Sequence, residues 1–90
     1  MQPHPISVAI GLRTRELREQ RGLSQEELAQ LSNLHRTFIG RIERGETNVT
    51  MRNLYKIAAG LNVSLSEFLA EEGLHKHGFG TPRKKGRVQG

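Results

Sequence analysis

Apolar residues recur through the first seventy positions with the spacing of helices. Ile6, Ile10 and Leu17 stand four and seven residues apart, the stripe of an α-helix from Ile6 to Gln20. Thr14 sits on that stripe where a larger apolar side chain is expected, and Arg13, Arg15, Glu16, Arg18 and Glu19 cover the other sides. Gly22 marks the stop, because a residue without Cβ takes the left-handed backbone that closes helices. Ser24 and Glu27 have the spacing of a capping box, in which hydroxyl and carboxylate each bond the other residue's amide. They open a short second helix carrying Leu28, Ala29 and Leu31, ended by Ser32 and Asn33. Asn tolerates a left-handed backbone, so Asn33 predicts a sharp turn. A third helix runs from about His35 to Arg44 with Phe38, Ile39 and Ile42 inward, and Gly45 ends it.

The polar loop from Glu46 to Thr50 leads to a fourth helix, capped by Thr50 and striped by Met51, Leu54, Tyr55, Ala58 and Leu61. Gly60 and Asn62 interrupt it. Ser64 and Glu67 form a second capping box, opening a short fifth helix with Phe68 and Leu69 on its apolar side. Beyond Glu72 the periodicity stops, and glycines alternate with basic residues and Pro82, a composition that predicts a disordered or frayed segment. The expected organisation is an extension over 1–5, an all-α domain of five helices over 6–72, and a flexible Gly/Lys/Arg-rich tail over 73–90.

Composition narrows the function classes. A chain of 90 residues accommodates one small core, which makes a multi-substrate enzyme cleft improbable. With aromatics at 4% and no Trp, that core rests on Leu, Ile and Ala, and Phe38 and Tyr55 read as core rather than as stacking platforms for bases. The absence of Cys removes disulfides, thiolate catalysis and thiolate zinc sites. Residues 1–5 lack the basic start and apolar block of a secretory signal, and no apolar run is long enough to span a membrane, so a cytoplasmic location is expected. The net charge is +5, but through Glu72 the basic and acidic residues balance; Lys76, Arg83, Lys84, Lys85 and Arg87 carry the whole excess. The basic tail suits nucleic acid and plain solubility equally well, so the case for DNA must come from the domain.

That case lies between Gln25 and Arg44. Two short helices at a tight turn need a small residue at their crossing, a turn residue of positive φ, and an apolar inner face on the second helix. Ala29, Asn33, and Leu34 with Ile39 and Ile42 supply these at the spacing of a DNA-reading helix-turn-helix. The runs Gly22-Leu23-Ser24-Gln25-Glu26-Glu27-Leu28-Ala29 and Phe38-Ile39-Gly40-Arg41-Ile42-Glu43-Arg44-Gly45 resemble the lambda-repressor-like (Cro/repressor) helix-turn-helix family. Within it, the stretch from His35 to Thr50 is most similar to restriction-modification controller proteins.

The resemblance implies a transcriptional regulator, with repression or autoregulation expected, that reads double-stranded DNA as a homodimer on a two-fold operator. It implies that Gln25 contacts a phosphate and braces the recognition helix, and that His35, Arg36, Thr37 and Arg41 face base edges. Chemistry agrees for Arg36, whose guanidinium matches O6 and N7 of guanine; Thr37 suits a thymine methyl. Arg44 and Asn48 resemble positions that anchor the DNA backbone, and Arg18 with Glu43 an ion pair that pins the recognition helix. The family further suggests Val63, Leu65, Phe68 and Leu69 as the dimer interface, although the same residues read equally as core. Phe38 stands where the controller pattern has Tyr, and Thr47 where it has a basic residue, so fewer backbone contacts, or help from the tail, are expected.

Plainer readings stand beside these. Arg36 and Arg41 read as solvated charges on an amphipathic helix if the helix-turn-helix spacing is set aside. His35 reads as a helix cap or as a base reader. Arg18 and Glu43 read as separate surface charges if they do not meet. His75 and His77 lack a third ligand and make a poor metal site. No Ser/His/Asp set, carboxylate pair or phosphate-binding glycine motif is present, so no cofactor and no catalysis are expected. Two rival functions share the features: an antitoxin or adaptor whose main partner is a protein, and a non-specific nucleic-acid binder led by its tail.

Overall fold

Helix signals become helices because each has a cap and a face to bury. The computed structural model describes residues 4–70; the expected basic tail, with His75 and His77, and positions 1–3 of the extension lie outside the described residues. Among the described residues the elements are α1 (Pro5–Gln20), α2 (Gln25–Ser32), α3 (Arg36–Glu43), α4 (Met51–Gly60) and α5 (Leu65–Phe68), with no strand. The five-helix, all-α expectation is met. Pro5 occupies the first turn of α1, where its missing N–H is no loss, and the His4 ring accepts the amide of Ile6. The capping box at Ser24 is complete, while at Ser64 the hydroxyl half alone forms, with Glu67 N–H donating to the Ser64 Oγ.

Helix α1 packs along α3, and α2 lies against both α3 and α4. Leu28, Ile39, Ile42, Ile57, Leu61 and Phe68 are fully buried where these layers meet. Two glycines set the spacing. A Cβ on Gly11 would stand 2.2 Å from the Ile42 carbonyl oxygen and 2.9 Å from that of Glu43, so the α1 and α3 backbones touch there. At the α2–α4 crossing, a Cβ on Gly60 would lie 2.5 Å from the Ser32 hydroxyl, which is buried and has no hydrogen-bond partner among the described residues.

Arginines of α1 fasten the far helices. Arg13 donates from Nε to the Phe68 carbonyl at 3.1 Å and from Nη2 to the Glu67 carbonyl at 3.0 Å, tying the end of α5 to α1. Arg21 does the same from Nε for the Leu61 carbonyl at the end of α4. Thr14 is fully buried despite its hydroxyl, which donates to the Ile10 carbonyl at 2.8 Å; the side chain therefore serves as a small core residue.

Part of the expected apolar stripe is corrected. Met51 and Tyr55 are each 63% exposed, and Leu31 is exposed as well. The buried face of α4 is instead Leu54, Ile57, Ala58 and Leu61, a 3-1-3 spacing rotated toward α2. Both faces share Leu54, Ala58 and Leu61, and the close approach at Gly60 selects the side bearing Ile57. Tyr55 is therefore not core. Val63 and Phe68, two of the four residues proposed for a dimer interface, are buried in the domain's own core.

Because the Gly11 contact is backbone against backbone, neither side yields by turning a rotamer. Gly11→Ala is expected to cost about 3 kcal/mol or more in urea unfolding. Gly22→Ala, at φ +66° with open space around it, should cost about 1–2 kcal/mol from backbone strain alone. Equal losses for the two variants would show that α1 and α3 separate freely.

Candidate nucleic-acid interface

The turn between α2 and α3 is closed by Asn33, which adopts φ 58° and ψ 44° while the Leu34 amide donates back to the Ala29 carbonyl at 2.9 Å. One left-handed residue thus redirects the chain without glycine. His35 then caps α3: its ring Nδ1 accepts the Thr37 amide at 3.1 Å. The cap reading of His35 is formed, and its Nδ1 is committed to the backbone, with the side chain exposed.

Helix α3 is two-faced. Ile39, Gly40, Ile42 and Glu43 are buried, and Phe38 is half-buried against the core. His35, Arg36, Thr37 and Arg41 are exposed on the other side. Eight residues cannot hold a helix alone in water, so burial of Ile39 and Ile42 keeps the outward residues in register.

The end of α3 is fixed by Glu43. Arg18 donates to it from Nε at 2.6 Å and from Nη2 at 3.0 Å, a two-pronged pair, and uses Nη1 on the Leu23 carbonyl at 2.7 Å. Gln25, at the first position of α2, donates from Nε2 to the same carboxylate at 3.0 Å. The Glu43 side chain is only 3% exposed and that of Arg18 12%. The hydrogen bond to Glu43, ahead of the opposing effect of burial, holds the Arg18 guanidinium above its usual range. The reading of these two as separate surface charges fails.

The remaining expected positions are spread around this centre. Gln25 is half-buried, and its Oε1 lies 3.5 Å from where a Gly40 Cβ would be, with Arg44 Nη1 at 3.3 Å from the same point. The bare Gly40 thus lets the Gln25 amide and the Arg44 guanidinium converge. Arg44 is exposed but occupied: Nε donates to Glu46 Oε2 at 2.9 Å and Nη2 to Oε1 at 3.1 Å. Asn48 is exposed and accepts on Oδ1 from the Ser7 hydroxyl at 3.2 Å, which ties the loop to α1. Sequence reasoning missed Gly11, Gly40 and Glu46. A glycine inside a helix was the available signal for the first two; nothing local announced the third.

Among the described residues no group of His, Cys, Asp or Glu is arranged to hold a metal, and no helix is long and apolar enough to cross a membrane.

Glu43 is buried with three bonds, so removing Arg18 strands a charge. Arg18→Met is expected to destabilise the domain by about 3–5 kcal/mol in urea unfolding. Adding Glu43→Leu to that variant should recover much of the loss, since a paired charge and an apolar pair of similar volume are close in stability. A double variant no better than the single one would place the loss in packing instead.

Residues 15–68 match the helix-turn-helix family HTH_3. The chain is 48% identical over 69 residues to control protein C.SmaI of Serratia marcescens, covering 77% of this chain and 82% of that protein. Among solved structures it is similar to the restriction-modification controller protein C.AhdI of Aeromonas hydrophila, with TM-score 0.67 and 47% identity over 69% of this chain and 94% of that one. The wild-type restriction-modification controller protein C.Esp1396I gives TM-score 0.72 and 38% identity over 80% of this chain and 91% of its own. These likenesses cover the same cap, turn and two-faced α3 described above, and the chain belongs to the helix-turn-helix family HTH_3 as a DNA-binding transcriptional regulator, not an enzyme.

Proposed function

We propose that this regulator inserts α3 into the major groove and binds as a homodimer on a two-fold operator, repressing transcription and regulating its own gene from the cytoplasm. The observation that carries the reading is the outward set Arg36, Thr37 and Arg41 on a helix held from behind by Glu43. Arg36 and Arg41 are exposed guanidinium groups at positions that suit guanine edges or phosphates, and the Thr37 methyl suits thymine. His35 contributes from its Nε2 side, the Nδ1 being used as a cap. Gln25 retains a second amide hydrogen for a phosphate beyond the one given to Glu43. Arg44 and Asn48 complete the backbone contacts, and the basic tail over 73–90 adds charge without sequence preference.

A single α3 reads too few base pairs to select a site in a genome, which is the argument for a second copy. With Val63 and Phe68 buried, the part of the expected two-fold contact that remains at the surface is half-buried Leu65 and Leu69, the latter lining a groove of about 360 Å³ together with Ile6, Met51, Ser7 and Asn48. The similarity to control proteins of restriction-modification systems supports the same class of regulation here.

Selection of bound duplexes from a random pool tests the reading, with a palindromic consensus as the expected result. On that consensus, Arg36→Ala should weaken binding by about 1–3 kcal/mol and relax preference at one base pair per half-site, read by fluorescence anisotropy. Equal affinity of the parent protein for consensus and scrambled duplex would overturn it.

Deleting residues 76–90 should shallow the salt dependence by a few units and leave the preference intact. Loss of all binding on that deletion would favour the tail-led reading. A protein copurifying at equal stoichiometry would favour the antitoxin or adaptor.

A further inference from the structure

On the face assigned to DNA, Arg36, Arg41 and Arg44 are exposed, and at the end of α3 the Glu46 carboxylate pairs with Arg44 and lies within the field of Arg41. Its place is set by the backbone. Gly45 turns the chain at φ +74°, and the Glu46 amide then donates to the Arg41 carbonyl at 2.9 Å, folding the side chain back over the end of α3. There both carboxylate oxygens take the Arg44 fork, at 2.9 and 3.1 Å. Two parallel N–H donors on two oxygens is also how a guanidinium grips a phosphate.

Resting on the reading of this face as the DNA contact, we infer that Glu46 is an internal stand-in for phosphate that occupies Arg44 and limits how tightly the protein holds DNA of any sequence. Arg44 grips a phosphate with this same Nε–Nη2 fork only by giving up Glu46, and the released carboxylate is then left facing the phosphate chain. The Arg44 bond draws the Glu46 carboxyl below its usual range and raises the guanidinium, with Arg41 also favouring the ionised carboxylate, so both partners stay charged around neutral pH. Phosphate contacts supply nearly all of non-specific binding, whereas base contacts by Arg36, Thr37 and Arg41 belong to the operator. A carboxylate directed at phosphates therefore weakens binding without favouring any base, and keeps the regulator from being held on bulk DNA.

The test is Glu46→Gln in the full chain, an isosteric change at an exposed side chain, measured against the selected consensus duplex and against random duplex over a range of salt. Binding to both should tighten about fivefold to tenfold near 0.1 M salt, with the slope of log affinity against log salt steeper by about one. In Arg44→Ala with Glu46→Gln, that gain should vanish, because it runs through Arg44. Unchanged affinity and slope, or weaker binding by Glu46→Gln, would overturn the inference; weaker binding would mean that Glu46 holds Arg44 in its DNA-contacting pose. Failure of the functional reading is separate, since it appears in the parent protein as equal binding to consensus and random duplex. The slope comparison on random duplex can still be read in that case.

Discussion

A carboxylate buried among apolar helices is costly unless its oxygens are filled, and in this protein the structure is arranged around filling those of Glu43. Arg18 from α1 and Gln25 from α2 converge on it with three bonds at 2.6 to 3.0 Å. Each element of the reading unit is thereby referred to one point at the end of α3. Gly11 favours this geometry, because it lets the backbone of α1 close onto that of α3 at Ile42 and Glu43, the end of the helix that Arg18 also grips. A larger residue there would move the carboxylate away from its donors and leave a charge in the core.

The rigidity has a use. The outward residues of α3 are attached to a helix too short to persist unaided, and a displacement of an ångström at its base would take Arg36 and Arg41 out of register with bases. Burial of Ile39 and Ile42 resists translation of the helix, and the Glu43 bonds resist rotation about its axis. Chemistry that faces DNA and chemistry that holds the fold are thus separated onto opposite sides of eight residues.

The arginines divide in the same way. Arg13, Arg18 and Arg21 spend their donors inside the molecule, on the ends of α5 and α4 and on Glu43. Arg36 and Arg41 face outward, and Arg44 lies between the two groups with Glu46 as its partner. Net charge does not distinguish these populations, which is why the overall excess of basic residues says little about where DNA would lie. Neutral balance within the domain conceals an interior set and an exterior set.

Local signals were enough to place the five helices, the Ser24 and Thr50 caps and the left-handed turn at Asn33, because capping and backbone strain act between residues a few positions apart; the His4 cap of α1 went unread, and the Ser64 box formed only by half. The Arg18–Glu43 pair and the outward set on α3 were legible too, through a motif whose spacing reflects that geometry. What the sequence misjudged was the rotation of α4, where Ile57 takes the buried face expected of Met51 and Tyr55; it left open whether Val63 and Phe68 are core, and gave no sign of the partner of Glu46. Those outcomes depend on which helices approach most closely, at Gly11 and Gly60, and on a turn at Gly45 that returns a carboxylate to an arginine. Helix propensity is set within a few residues of the chain; the choice of buried face and of charge partner is made by distant segments, so only the packed tertiary structure decides it.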